Sequence, residues 1–211
     1  MNNTLDIKPL LLVPLLALLA LPLMGSVDTW LTLSVAGLAM GMIIFIMASG
    51  LTLVFGLMDV LNFGHGVFIA LGAFVATSVL SVMADWTQSQ ELWRNVLAVS
   101  AAMVAAMVAA SIIGLAFERF IVRPVYGQHL KQILITMGGM IIGEEIIKVI
   151  WGPLQIALPL PEAMRGSLLW GDASIEKYRL IAVVVGMLVF MLQAWTLSRT
   201  KVGLLIRAGV Q

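Results

Sequence analysis

The charged and polar side chains that interrupt the apolar runs of this chain are few, and they are where chemistry has to be sought. Glu144, Glu145 and Lys148 stand toward one end of such a run. On a helix, Glu144 and Lys148 are an i,i+4 pair and Glu145 and Lys148 an i,i+3 pair, so the three occupy neighbouring positions. Ionisable groups at membrane depth are costly and face a partner or a cavity. The trio therefore reads either as a self-satisfied ion pair near the interface or as a gate or substrate contact. A proton relay would need further carboxylates on other helices, and Asp59 is the one candidate. The second polar group lies within Ser49–Gly72, SGLTLVFGLMDVLNFGHGVFIALG, where Asp59-Val60-Leu61-Asn62-Phe63-Gly64-His65-Gly66 separates two apolar stretches. Unwound backbone and polar side chains between such stretches survive only where protein or a watery cavity satisfies them. Asn62 and His65, with Gly64 and Gly66 beside them, are candidates to line a substrate path. The competing role for each is a structural hydrogen bond.

Other chemistries find no footing. The chain has no cysteine and two histidines, His65 and His129, which excludes disulfides, thiolate metal sites and a cysteine nucleophile and leaves no histidine-rich metal centre. The phosphate-binding pattern GxxxxGK[ST] is absent, as are a nucleophile elbow and the HExxH pattern. The expectation is a protein that is not an enzyme and holds no cofactor or metal. A net charge of +1 supplies no long-range field for nucleic acid.

The elements that must position these residues are membrane helices. Of the 211 residues, 61% are hydrophobic and 11% charged, with a mean hydropathy of +1.07. Soluble domains are about 45–50% apolar and about 25% charged. A spanning helix needs roughly 20 apolar residues, and six hydrophobic segments come near that length. They run from Pro9 to Met24, Trp30 to Met58, Gly66 to Met83, Val96 to Phe117, Ile133 to Ile150 and Leu180 to Leu197. The fold class expected is an all-α polytopic transmembrane bundle of about six segments, a single domain over residues 1–211. A glycine-rich break or re-entrant joint lies between the second and third segments. The first segment is short and holds Pro14 and Pro22; Lys8 is its one nearby cation and Leu23-Met24-Gly25 is a poor cleavage site, which favours an uncleaved short or interfacial helix over a signal peptide. The second, at 1.5 Å per residue, would reach about 43 Å against a hydrocarbon core of about 30 Å, so it either tilts or breaks near Gly50 or Gly56.

Loop charges orient the bundle. Arg119, Arg123 and Lys131 in one connection, and Arg199, Lys201 and Arg207 in the C-terminal tail, mark the cytoplasmic side. The connections 84–95 and 151–178 then face outward, the Asp59–His65 connection lies on the cytoplasmic side or folds back into the bilayer, and parity places the N-terminus inside. Trp30, Trp86, Trp93, Trp151 and Trp170 fall at or beyond the outer ends, as an aromatic belt requires. Small residues share helix faces at Ala102, Ala106, Ala110 and Gly114, at Gly37 and Gly41, and at Gly139 and Gly143. Such faces allow close approach of another backbone, within the bundle or from a second subunit.

Three ordered blocks carry a resemblance. GLTLVFGLMDVLNFGHG is the first. The second joins Arg123-Pro124-Val125-Tyr126-Gly127 and Gln132-Ile133-Leu134-Ile135-Thr136 to Glu144-Glu145 and Trp151-Gly152-Pro153. The third is Thr200-Lys201-Val202-Gly203-Leu204-Leu205-Ile206-Arg207-Ala208. Together they resemble the inner-membrane permeases of branched-chain amino acid ABC transporters. The resemblance implies one half of a permease pair in a bacterial inner membrane, a homologous permease completing the pore, two cytoplasmic ATPases that bind the ATP, and a periplasmic substrate-binding protein. It also implies that Thr200, Lys201, Gly203 and Arg207 begin a segment that couples to the ATPases. Family members continue past this point, so the chain is expected to be C-terminally truncated relative to them. Permeases for urea and short-chain amides look alike at this level. A non-transporting membrane assembly subunit and a channel working without ATPases are the readings from other classes.

Overall fold

The computed structural model describes residues 7–58, 60–200 and 203. Its helices are α1 (Ile7–Ala20), α2 (Val27–Met58), α3 (His65–Val82), the single turn α4 (Ala84–Thr87), α5 (Leu92–Phe117), α6 (His129–Trp151) and α7 (Lys177–Arg199). Among the described residues, four helical stretches are long and apolar enough to cross a membrane: Val27–Gly56, His65–Val82, Leu92–Val125 and Lys177–Arg199. The protein is an all-α polytopic membrane protein. The two remaining hydrophobic segments differ from these in ways their residues explain. α1 has 14 residues with Pro14 inside it and runs into a 3-10 turn at Leu21–Leu23, because proline removes a backbone donor and crowds the preceding turn. α6 has 23 residues but carries Lys131, Glu144, Glu145 and Lys148.

α2 is one continuous helix of 32 residues. Neither Gly50 nor Gly56 breaks it, since a glycine inside a helix costs only about 1 kcal/mol and the surrounding run is uniformly apolar. α5 does not stop at Phe117. It passes through a π-helical turn, Glu118–Val122, into a 3-10 turn, Arg123–Val125, and ends where Gly127 adopts φ +76°.

The chain divides into two compact units. The first takes the N-terminal segments up to Phe45 together with Arg165–Met191. Within it α2 and α7 approach so closely at Gly186 that a Cβ there would lie 2.5 Å from the Cβ of Met42, and Phe45 meets Phe190 edge to face at 5.5 Å. The 151–178 connection is not irregular throughout: Ser167–Trp170 (β1) and Ala173–Glu176 (β2) form an antiparallel hairpin pairing Leu168 with Ile175 and Trp170 with Ala173. Gly171, at φ +63°, supplies the left-handed turn residue that such a short reversal demands.

The second unit takes Ile46–Met164 and the chain from Leu192. Its core lies between α3 and α5, where Leu80, Ala98 and Ala102 are buried among Ala76, Val79, Met83 and Val99. A Cβ on Gly72 would sit 3.9 Å from Ala106. The small-residue face of α5 is thus spent on packing against α3 over Ala98, Ala102 and Ala106, while Gly114 faces open space.

Asn95, 2% exposed, ties the end of this unit together. Its amide nitrogen donates toward the carbonyls of Trp86, Ser89 and Glu91 at 3.2, 2.7 and 3.3 Å. Its Oδ1 accepts the Ala163 N–H at 3.0 Å. Replacing Asn95 with Leu leaves the Ala163 N–H and three carbonyls without this partner, and we expect a loss of about 2 kcal/mol or more in unfolding free energy. Asn95→Asp keeps the acceptor but turns a carboxylate oxygen toward the same carbonyls in a buried site, so it should cost at least as much. SDS titration of the protein in mixed micelles measures both; a leucine variant as stable as the parent would show that the clamp carries nothing.

Candidate functional site

Between α2 and α3 the backbone leaves helical geometry at Val60–Gly64. Its amides and carbonyls must then be satisfied from elsewhere. Asn62 does part of this locally: its Oδ1 accepts the Gly64 N–H at 3.0 Å, and its carbonyl accepts the His65 N–H at 3.2 Å. Gly64 is buried, and a Cβ there would come within 3.2 Å of that same Oδ1 and 3.6 Å of the Thr136 carbonyl. The glycine lets the turn press against α6. Gly66, by contrast, faces open space.

The remaining partner is Thr136 on α6, which is 0% exposed. Its Oγ1 accepts the Phe63 N–H at 3.3 Å. Its own proton has three carbonyls in reach, Gln132 at 2.8 Å, Leu61 at 3.2 Å and Ile133 at 3.2 Å, and fills one at a time. One hydroxyl therefore bridges residues 61 and 63 of the unwound segment to the helix that follows 75 residues later. The rest of this α6 face is glycine. A Cβ on Gly139 would collide with the Phe117 ring, and one on Gly143 would lie 2.6 Å from Val67 Cγ1. Phe117 in turn meets Phe68 edge to face at 5.3 Å. Positions 136, 139 and 143 fall on one helix face, which is how α6 comes near enough for a threonine to reach the joint.

His65 opens α3 and leans back on α2. Its Nε2 lies 3.2 Å from the Met47 carbonyl, and since a carbonyl can only accept, Nε2 carries the proton in that bond. The ring lies against Gly50, where a Cβ would be 3.2 Å from Cε1. That contact, rather than a kink, accounts for Gly50. Beside the ring is an open cavity of about 430 Å³ lined by Leu51, Thr52, Phe55, Leu61, Asn62, Phe63, His65 and Gly66. The wall is mostly aliphatic and aromatic, with Thr52, Asn62 and His65 as its polar side chains. Such a site suits a small ligand with an apolar body and a few hydrogen-bonding groups.

The other residues singled out from the sequence lie apart from this joint. Lys148 Nζ pairs with Glu145 Oε1 at 2.6 Å, with both side chains about half exposed, so the i,i+3 neighbour forms the bridge. The end of α6 instead reaches α3 through Trp151, whose Nε1 donates to Ser78 Oγ at 2.8 Å while its ring packs on Phe74. Thr200 Oγ1 donates to the Thr196 carbonyl at 2.6 Å and accepts the Gly203 N–H at 3.3 Å. Gly203 is buried against the backbone of Leu197, where a side chain would collide. Lys201 and Arg207 lie outside the described residues. In the connection after α5, Tyr126 OH donates to Glu118 Oε1 at 2.7 Å. Partial burial, and then this bond to a carboxylate, push the Tyr126 hydroxyl up to about 12. Buried Gln132 caps the same turn from α6, its Nε2 donating to the Val125 carbonyl at 3.2 Å.

Sequence reasoning did not single out Thr136, Met47 or Asn95 as functional positions. Thr136 had a signal: it is a hydroxyl one helical turn after Gln132 on the face that continues into Gly139 and Gly143. The Met47 carbonyl had none, because a backbone acceptor leaves no mark in the side-chain pattern.

With the geometry set out, comparison with known proteins adds the following. The family described as "Branched-chain amino acid transport system / permease component" matches residues 33–210. The high-affinity branched-chain amino acid transport system permease protein BraD of Pseudomonas aeruginosa is 25% identical over 191 residues, covering 88% of this chain and 60% of that protein. The corresponding permease protein LivH of Escherichia coli is 29% identical over 124 residues, 58% of this chain and 39% of its own length. That of Salmonella typhimurium is 27% identical over the same extent. The chain thus spans 60% of the length of the first of these curated relatives and 39% of the second. No solved structure matches it.

Two outcomes test the site geometry. Thr136→Val keeps the shape and removes the hydroxyl, so the Phe63 N–H loses its acceptor. We expect amide exchange at Phe63 to accelerate and stability to fall by about 1–3 kcal/mol, with Thr136→Ser retaining most of both; unchanged exchange in the valine variant would dissolve the clasp. For Tyr126 the raised folded value means stability present below pH 10 and lost as pH rises from about 10 to about 12. In a Tyr178→Phe background, ultraviolet titration should place the Tyr126 phenolate near 12, and Glu118→Gln should bring it down. Titration near 10 in the parent would show that neither burial nor the bond acts.

Proposed function

The chain belongs to the branched-chain amino acid transport permease family, and on that premise we propose that it is a membrane subunit of an ABC importer for leucine, isoleucine and valine. The observation that carries the proposal is the family match over residues 33–210, which takes in the joint, the whole of α6 and the tail. The names of the curated relatives give the substrate class. The largely apolar cavity beside Asn62 and His65 is compatible with a branched aliphatic side chain.

In this reading residues 1–211 act as one transmembrane permease domain of about six segments, inserted in a bacterial inner membrane with the N-terminus inside. A homologous permease completes the pore. A periplasmic binding protein delivers substrate, and two cytoplasmic ATPases bind ATP, which this chain does not; it catalyses no reaction of its own. ATPase closure is passed through Thr200, Lys201, Gly203 and Arg207 and shifts the helices between outward- and inward-open states, each state differing in its contacts with substrate and partners. The joint is a suitable moving part in such a cycle. Residues 60–64 are held by a few hydrogen bonds, not by a helical ladder, so small displacements of α6 against α2 and α3 can be absorbed there. The Glu145–Lys148 bridge is a surface ion pair at the other end of α6 in this scheme, not a substrate contact.

Deleting the gene from its host and measuring uptake of radiolabelled leucine, isoleucine and valine tests the substrate class. Loss of uptake that the intact gene restores is the expected result; loss of urea or short-chain amide uptake instead would move the protein to that class, and no change in either would overturn the transport role. His65→Ala and Asn62→Ala should lower uptake severalfold while the complex still assembles, and wild-type uptake from both would remove the joint from the path. Arg207→Glu should weaken substrate-stimulated ATP hydrolysis, whereas unchanged stimulation would take Arg207 out of the coupling contact.

A further inference from the structure

The β1–β2 hairpin has an unusual distribution of apolar surface. On β2, Ala173 and Ile175 are buried. On β1 all four residues are exposed, and three of them are large and apolar: Leu168, Leu169 and Trp170, the last two each 76% exposed. Facing water, that strand would hold its apolar area at a cost of roughly 25 cal/mol per Å².

Its place in the fold removes the difficulty. The Lys177 N–H at the first residue of α7 donates to the Gly166 carbonyl at 3.1 Å, which closes the base of the hairpin on that helix. At the tip, Gly171 adjoins Asp28 in the first turn of α2, whose Oδ1 lies 3.3 Å from where a Cβ would stand. The hairpin therefore lies across the N-terminal ends of α2 and α7, and both helices are long and apolar enough to cross a membrane. A segment so placed sits at the boundary between hydrocarbon and water. The Asp172 carboxylate at the turn and the Glu176–Arg179 bridge of 2.6 Å at the junction with α7 place charge at its two ends. A tryptophan beside leucines on one strand, with charges at the turn and the base, has the amphipathic character that headgroup layers take up.

We propose that the β1–β2 hairpin is a lipid-interface anchor whose Leu169 and Trp170 side chains enter the headgroup layer beside α2 and α7. The hairpin is tied to the first turns of two helices long and apolar enough to cross a membrane, and this position selects bilayer over a protein partner as the occupant. The anchor fixes the depth and tilt of α2 and α7, as interfacial tryptophans do. It depends on membrane insertion of the chain and not on what the chain transports.

Because the chain has no native cysteine, single-cysteine variants Leu169→Cys, Trp170→Cys and Asp172→Cys can be labelled with a nitroxide in the full chain, reconstituted in phosphatidylcholine/phosphatidylglycerol nanodiscs. Power saturation with oxygen and with a water-soluble nickel chelate then reads depth. The oxygen-to-nickel collision ratio should be more than about twofold higher at 169 and 170 than at 172, as apolar residues at a bilayer interface require. Equal ratios, with nickel access at 169 and 170 as free as at 172, would overturn the anchor in favour of a water-exposed strand. Low access of both reagents at 169 and 170 would overturn it in favour of a protein covering the hairpin. Should a labelled variant fold poorly, quenching by brominated lipid, compared between the unlabelled parent and Trp170→Phe, decides the matter. A larger quenched signal in the parent supports the anchor, and identical quenching rejects it.

Discussion

Backbone that leaves a helix between two membrane segments must still satisfy every amide and carbonyl, and here a single buried hydroxyl does much of that work. Thr136 holds the N–H of Phe63 and lies within reach of the carbonyl of Leu61, so α6 and the α2–α3 connection cannot be placed independently. The arrangement explains why α6 presents glycine at 139 and 143. Thr136 reaches the joint only if Phe117 and Val67 are allowed to lie against bare backbone. It also explains Gly64, whose missing side chain lets the turn press on the same helix. Close approach and polar satisfaction are here one requirement met by one helix face.

The membrane class and the existence of the long helices were legible because they follow from composition and length, and apolar runs of some twenty residues have few other uses. The polar interruption at Asp59–His65 was legible for the same reason, as a violation of an otherwise uniform pattern. What could not be read was the identity of its partners. Asn62 and His65 could be read either as lining a path or as making structural hydrogen bonds, and the structure pairs the Asn62 oxygen with the Gly64 amide and the His65 ring with the Met47 carbonyl. Both bonds run to backbone, and backbone is invisible to side-chain pattern. Small-residue spacing was ambiguous in the same way. It marked faces able to approach closely without saying which would, and α5 uses its face against α3 while Gly37, Gly41 and Gly114 meet open space.

Local rules left the long second segment open between tilt and break, and they did not reveal the hairpin in the 151–178 connection. Gly50 and Gly56 read as possible break points in a run too long for one straight span, but α2 continues through both. The favourable backbone ladder on either side outweighs the small penalty of each glycine, and the space at Gly50 is used by the His65 ring. In the 151–178 connection, mixed charges and prolines concealed the hairpin, whose two strands are four residues each, too short for a period-two pattern to stand out. The turn glycine at 171 was its one clear mark.

The polar groups at the joint are satisfied without being saturated, and this bears on how a transporter could use it. Among the described residues, His65 keeps Nδ1 beyond its bond to Met47, and Asn62 keeps its amide nitrogen beyond the turn that its oxygen stabilises. A ligand entering the cavity would find donors and acceptors already fixed in place by bonds to α2 and to the turn itself, so ordering them costs little on binding. Those anchoring bonds belong to α2 on one side, and the Thr136 clasp belongs to α6 on the other. Any motion separating the two helices must therefore stretch or exchange hydrogen bonds within the 60–65 segment, beside the cavity wall. Rotation of the Thr136 hydroxyl from the Leu61 carbonyl to that of Gln132 or Ile133, both on α6 itself, lets residue 61 go while the hydroxyl stays paired, because all three acceptors are within 3.2 Å. Releasing residue 61 thus leaves no hydroxyl unpaired, and the Leu61 carbonyl must then take another donor, because backbone acceptors away from water need one.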